Sequence, residues 1–260
     1  MQIDLSGKHA LVTGSTGGIG YGIASRLAEC GARVTLNGRS EDSVQQAVDA
    51  LQSALPDAAL GGIAADLSVP EACDALLSHL GPVDILINNA GIFGPQDFFE
   101  AEDSLWQKYW DVNVMGGVRL SRALTPGMVD RGWGRVLFLG SESAFNIPAD
   151  MIHYGVTKAA YVALARGLAK RLAGTGVTVN SLLPGPTLSD GMTEGLNPEA
   201  GQSVEDAARD FVMQNRPSSI IQRAATVEEV ANMALYAVSP LSSATTGASL
   251  RVDGGVVDTL

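Results

Sequence analysis

Thr13-Gly14-Ser15-Thr16-Gly17-Gly18-Ile19-Gly20 sets the architecture of this chain through what stands on either side of it. Before it, His9 to Val12 is a short apolar run that reads as a buried strand. After it, Ile19, Ile23 and Leu27 recur at helical spacing up to Cys30, with Gly31 placed to end the helix. Strand, glycine turn and helix form the context in which such glycines hold a dinucleotide. Gly14 permits the tight turn. Gly18 and Gly20 let the backbone approach a pyrophosphate and the helix pack on the strand, while the helix N-terminus offers free N–H groups. The spacing is G-x-x-x-G-x-G rather than G-x-G-x-x-G. A glycine cluster alone fits a flexible loop; the flanking elements argue against that.

Further along, Val83 to Ile87 reads as a central parallel strand and is followed by Asn88-Asn89-Ala90-Gly91. Small polar residues at a strand's carboxyl end lie where open α/β sheets bind ligands, although such a turn can also serve the sheet alone. Another apolar run, Val136 to Leu139, leads through Gly140 to Ser141, with Ser143 a nearby competitor for the same role. Tyr154-Gly155-Val156-Thr157-Lys158 then sets a phenol and an ammonium one helical turn apart, so both head groups can converge. A fixed positive charge nearby favours the phenolate, which predicts a tyrosine pKa lowered towards working pH. On its own, this spacing equally suits a solvated surface pair.

Together these residues resemble the short-chain dehydrogenase/reductase family, and the likeness runs nearly end to end. It also takes in Asp66 after the third strand, Asn113 in the central helix, Pro184-Gly185 after the sixth strand, and Val252-Asp253-Gly254-Gly255. The resemblance implies an NAD(P)-dependent oxidoreductase with a Rossmann fold. Tyr154 would be the general acid/base, and Lys158 would lower its pKa and hold the nicotinamide ribose. Ser141 would hydrogen-bond the substrate oxygen, and Asn113 would hold a water linking Lys158 to solvent. For the cofactor, the resemblance implies Gly14, Ser15, Thr16, Gly18, Ile19 and Gly20 at the glycine turn. It places Asp66 and Leu67 at the adenine and Asn89, Ala90 and Gly91 along the cofactor. Pro184, Gly185, Thr187 and Ser189 would face the nicotinamide carboxamide. The cofactor carries the hydride chemistry; the protein supplies position and a proton.

Apolar strands alternate with helical segments throughout, which predicts one doubly wound parallel α/β sheet with helices on both faces. No linker, repeat or low-complexity tract divides the chain, so residues 1–260 read as one domain. Ser68–Glu71 and Thr226–Glu229 have the form of capping boxes. The net charge of −11 disfavours nucleic acid and anionic membrane surfaces as partners. No membrane span or N-terminal signal is visible. Cys30 and Cys73 read as buried free thiols, consistent with a cytoplasmic location. His9, His79 and His153 lack metal-ligand spacing, so no metal site is expected, and His153 is expected to pack or to rim the pocket.

The second strand, Arg33 to Asn37, is followed by Gly38-Arg39-Ser40. NAD-binding versions place an acid there for the ribose 2′-hydroxyl. Gly38 takes that place, and Arg39 offers a charged planar fork for a 2′-phosphate, unless it is merely a solvated turn residue. NADP(H) is therefore expected over NAD(H), and Gly38→Asp is expected to move the preference towards NAD. Residues 187–220 break the strand–helix rhythm and read as a substrate lid; Val204, Ala207, Ala208, Phe211 and Val212 within them follow helical spacing. Phe93 to Phe99 is a second candidate pocket wall.

Ser104–Asp130 and Tyr154–Ala173 read as long helices with more than one apolar face. By resemblance, that implies a two-fold helix-pair interface and a homotetramer, or a dimer. The apolar segment 254–260 is a candidate for a second interface. The expected substrate is a small carbonyl or alcohol. A 3-oxoacyl-(acyl-carrier-protein) reductase is the alternative; such enzymes often carry a basic residue just before Gly176-Val177-Thr178-Val179-Asn180, where this chain has Thr175. A cofactor-binding sensor without turnover has no need of all of Ser141, Tyr154, Lys158 and Asn113.

Overall fold

A computed structural model describes residues 2–196, 198–199 and 201–259. Leu260, at the end of the candidate interface segment, lies outside the described residues. The elements begin β1 (His9–Val12), α1 (Gly18–Glu29), β2 (Arg33–Gly38), α2 (Glu41–Ala54), β3 (Leu60–Ala64), α3 (Pro70–His79) and β4 (Ile85–Asn88). Next, α4 (Asp103–Trp110) runs through a π turn (Asp111–Met115) into α5 (Gly116–Asp130), followed by β5 (Gly134–Leu139) and α6 (Ile152–Arg171). The chain closes with β6 (Val177–Pro184), β7 (Thr187–Leu188), α7 (Asp190–Thr193), α8 (Val204–Asn215), β8 (Ala225–Thr226), α9 (Val227–Val238) and β9 (Ser249–Val252).

Seven strands form one sheet in the order β3-β2-β1-β4-β5-β6-β9, parallel at every pairing. Alternation along the strands feeds two cores. Ala10, Val12, Ile85 and Ile87 face the side covered by Ile23 and Leu27 of α1 and Val230 and Ala234 of α9. Leu11 and Leu86 face the side covered by Leu76 of α3, Leu120 of α5 and Tyr161 of α6. Both faces are apolar because parallel strands are covered on both sides. The strand order reverses between β1 and β4. Ligands bind at that reversal, outside the carboxyl ends of the strands.

Two local expectations fail for identifiable reasons. Ser68 does not cap α3: its hydroxyl donates to the Asp66 carboxylate at 2.7 Å, and the helix starts at Pro70 with no side-chain cap. At α9, by contrast, both reciprocal bonds between Thr226 and Glu229 are made. The helix expected over Ser104–Asp130 is not uniform, because Asp111–Met115 widens into the π turn around Asn113. Cys73 is buried as expected, whereas Cys30 is only half-buried.

Candidate active site

The floor of the cleft is the end of β1. Thr13 Oγ1 accepts from the amides of Asn89 and Ala90 at 2.9 and 3.0 Å, and Asn89 Nδ2 donates to the carbonyls of Thr13 and Gly14. The turn therefore presses on the end of β4: a Cβ on Gly14 would lie 2.8 Å from Ala90 Cα, and its φ of +59° is already one that L side chains avoid. Ser15 is fully buried. Its hydroxyl donates to the Val12 carbonyl and accepts from the Asn37 amide, so it braces the turn from behind instead of facing a ligand. Thr16 and Gly18 line, with Ser189 and Asp190, one end of a groove of about 740 Å³ that continues between α1, α2 and the start of α9, away from Tyr154. Ile19 is half-buried and packs on the core, and Gly20 is buried.

At the other end of the cleft, α6 carries Tyr154 and Lys158. Lys158 is buried, and its Nζ donates to the Leu139 carbonyl at 2.7 Å, just before Ser141. Asn113 is fully buried at the π turn. It accepts from the Ile92 amide at 2.7 Å and donates to the Ile92 carbonyl and the Thr157 hydroxyl. The extra residue in a π turn shifts the helix face, and here it aims Asn113 at the chain leaving β4. Gly91 lies between these groups: a Cβ there would stand 3.3 Å from Asn113 Oδ1 and 3.6 Å from Lys158 Nζ. That cradle, with the tight glycine turn across the cleft, fits an elongated dinucleotide.

Ser141 Oγ accepts from the Ser143 amide at 3.1 Å. Ser143, the competitor, is buried, and its hydroxyl is spent on Glu142. The exposed Phe93 ring lies 6.2 Å from the Tyr154 ring. His153 is buried 4.3 Å from the Tyr109 ring, so it packs.

The electrostatics correct one expectation. The Tyr154 phenol is not lowered but pushed up to about 12, chiefly by burial, with the Ser141 hydroxyl pulling the other way. Burial likewise brings the Lys158 ammonium down to about 8. Lys158 turns towards the Leu139 carbonyl, 5.5 Å from the centre of the Tyr154 ring, and burial is the largest influence on both groups.

Arg39 is exposed at the end of β2, close enough to help hold the Asp66 carboxyl below its ordinary range, behind the larger effect of Ser68. Leu67 is buried in the core, and its carbonyl accepts from Arg119. Gly38 is tightly packed: a Cβ would fall 2.4 Å from Thr16 Cγ2 and 3.1 Å from Val44 Cγ2. Gly38→Asp would therefore push aside the Thr16 methyl as well as add a charge. Pro184 ends β6, and the Gly185 amide donates to the Val252 carbonyl. Thr187 is buried and donates to the Gly185 carbonyl; Ser189 is half-buried beside Gly18.

Sequence reasoning passed over Asp190, whose carboxylate accepts from the Gly18 amide at 2.9 Å, and the pair Glu142–Arg216. The place of Glu142 between Ser141 and Ser143 was the available signal for the pair. Among the described residues, no group of three or more His, Cys, Asp or Glu side chains is arranged to hold a metal ion.

Comparison with known proteins agrees with this geometry. A family model described as "Enoyl-(Acyl carrier protein) reductase" matches residues 14–257. The "Uncharacterized oxidoreductase YvaG" of Bacillus subtilis is 45% identical over 99% of this chain and 98% of its own. The L-sorbose reductase of Gluconobacter frateurii, solved with NADPH and L-sorbose, superposes with a TM-score of 0.92 at 33% identity, covering 100% of both chains. A solved short chain dehydrogenase/reductase family protein superposes at 0.87 with 32% identity, over 99% of this chain and 100% of that one. The chain belongs to the short-chain dehydrogenase/reductase family and is an oxidoreductase acting between alcohols and carbonyls.

Proposed function

We propose that this oxidoreductase reduces a small organic carbonyl, or oxidises the matching alcohol, with NADP(H) in preference to NAD(H). The observation that carries this reading is the convergence of Ser141, Tyr154, Lys158 and Asn113 at the carboxyl edge of the sheet, opposite the glycine turn. The nicotinamide supplies the hydride. Tyr154 gives its proton to the carbonyl oxygen and takes it back in the reverse direction. A phenol held neutral by burial suits the donor role. Ser141, its oxygen occupied by the Ser143 amide, directs its own proton to the same substrate oxygen. Lys158 and Asn113 hold the ribose side of the cleft at Gly91.

NADP is favoured by the missing carboxylate at Gly38 and by Arg39 beside Asp66, and the relative solved with NADPH supports it. Relatives described as 3-oxoacyl-[acyl-carrier-protein] reductases, 31% and 33% identical to this chain, favour a 3-oxoacyl-thioester substrate instead. Against that, Thr175 is half-buried with its hydroxyl on the Leu172 carbonyl, and it presents no charge to an acidic carrier. The deciding experiment is a panel of ketones, ketoses, steroids and a 3-oxoacyl thioester, following NADPH and NADH consumption in parallel. No turnover on any member defeats the reading, and preference for NADH defeats its cofactor half.

The same reading includes a cytoplasmic homotetramer with residues 187–220 as its lid. No helix among the described residues is long and apolar enough to cross a membrane. A groove of about 530 Å³ between α5 and α6, lined by Val118, Thr125, Leu164 and Leu168, supports a helix-pair interface, with Ala163 exposed beside it. Ala163→Glu is expected to shift the sedimenting species towards smaller mass and lower activity. A wild type already monomeric and fully active at micromolar concentration would remove this part.

A further inference from the structure

The ion pair between Arg216 and Glu142 joins two parts of the chain with no sequence proximity. Arg216 Nε donates to Glu142 Oε1 at 2.8 Å, with side chains only 13% and 4% exposed. Surface pairs are worth little. A pair this deep is costly to break, because the surviving charge is left buried and uncompensated.

Each partner is fixed at its own end. Arg216 caps the C-terminus of α8: its amide donates to the Val212 carbonyl and its Nη1 to the Asn215 carbonyl. A cation suits that helix end. Glu142 directly follows Ser141. The oxygen that takes Arg216 also accepts from the Ser143 hydroxyl at 3.1 Å, while the Ser143 amide donates to Ser141 Oγ at 3.1 Å. The Ser143 carbonyl in turn lies against Gly155, where a Cβ would stand 3.0 Å from it. An unbroken run of contacts thus leads from the end of α8 through Arg216, Glu142 and Ser143 to the Ser141 oxygen.

We propose that Glu142 and Arg216 are positioning residues: a buried strut through which segment 187–220 sets the orientation of Ser141 beside Tyr154. The proposal rests on the reading that Ser141 and Tyr154 perform the chemistry. The strut also acts on the phenol. Glu142 pushes the Tyr154 pKa up and Arg216 pulls it down. The other groups facing that phenol are Ser141 from its own turn, Tyr109 from α4 and Lys158 one turn along α6. The second oxygen of Glu142 is buried with no partner among the described residues, so the strut's charge balance depends on Arg216.

The test uses the full chain in Glu142→Gln and Arg216→Met forms. Hydrogen exchange of the free protein comes first, since it needs no substrate. Each substitution is expected to speed exchange about tenfold in the segment it does not belong to: 204–215 for Glu142→Gln and 141–146 for Arg216→Met, with α2 unchanged. Loosening confined to the mutated segment overturns the strut. With a substrate found on the panel, both variants are expected to lose about tenfold or more in kcat/KM at unchanged NADPH affinity. The pH limb assigned to Tyr154 should also move down in Glu142→Gln, because a negative neighbour is gone. Activity within about threefold of wild type, or an unmoved limb, overturns the positioning role. Should either variant fail to fold, Glu142→Asp and Arg216→Lys replace them, with intermediate exchange expected and wild-type exchange decisive against. Failure of the wild type on the whole panel would count against the proposed function; the exchange result would still judge the strut.

Discussion

The glycine turn and segment 187–220 face each other across one cleft but are held in place by different means. The turn is fixed by short hydrogen bonds from Thr13, Ser15 and Asn89, with backbone packed on backbone at Ala90. The segment rests on a small apolar cluster of Ala208, Val212 and Ala224, flanked by Leu188 and Met192. Beyond that it is held by the two-residue pairing of β7 with β8, by the Ile220 amide and Ser218 hydroxyl on the carbonyls of Gly254 and Val256, and by two side-chain contacts, Asp190 on Gly18 and Arg216 on Glu142, and it leaves Phe211, Met213 and Ile220 exposed. Elements with few buried contacts open at low cost. Under the proposed function, the tightly bonded wall is the one that receives the cofactor and the loosely packed wall the one that receives the substrate.

Tyr154→Phe tests both walls at once. It is expected to lower turnover ~10²–10⁴-fold while NADPH affinity, read by fluorescence titration, stays level. Near-normal turnover would remove the phenol from the chemistry. Arg39→Ala touches the rigid side alone: NADPH efficiency should fall about tenfold, with NADH efficiency little changed. Equal losses for both cofactors would return Arg39 to the role of a solvated turn residue. Val212→Ala touches the mobile side alone. Emptying that buried site should cost about 1 kcal/mol locally. It should raise substrate KM a few-fold without moving NADPH affinity; the reverse pattern would contradict the division.

The smallest expected effect concerns Lys158. Burial holds its ammonium at about 8 in the folded protein against an ordinary 10.5. Between those values the unfolded chain binds more protons, so folding gains as pH rises through the window. Urea unfolding of wild type relative to Lys158→Met should therefore gain about 1 kcal/mol between pH 8 and pH 9. A flat difference would mean that the ammonium is better solvated than its burial implies.

The rigid wall was legible in the sequence because its determinants are local. A strand, a glycine turn and a helix are written in consecutive residues, and β1 has the bounds its apolar run predicts. Tyr154 and Lys158 were legible because they stand one helical turn apart; Asn113 came only through the family resemblance, and its helix widens there into the π turn. Other features depend on competition or on distance. Ser68 had two acceptable hydrogen-bond partners, and Asp66 won. The phenol's pKa depends on burial, which spacing does not encode. Glu142 and Arg216 stand 74 positions apart, so no periodicity links them.

The π turn at Asp111–Met115 has a consequence for how this chain tolerates insertions and deletions. It carries one residue more than a regular helical turn needs, and each helical residue advances the face by about 100°. Upstream, Tyr109 points at His153; downstream, Leu120 points at the sheet. Loss of a single codon between them would heal the helix into ordinary α form and turn one half against the other. Asn113 would leave Ile92, or α5 would leave the core. The length of this stretch is thus guarded by helical phase as well as by residue identity, and insertions or deletions are expected to be tolerated better in the loops on either side.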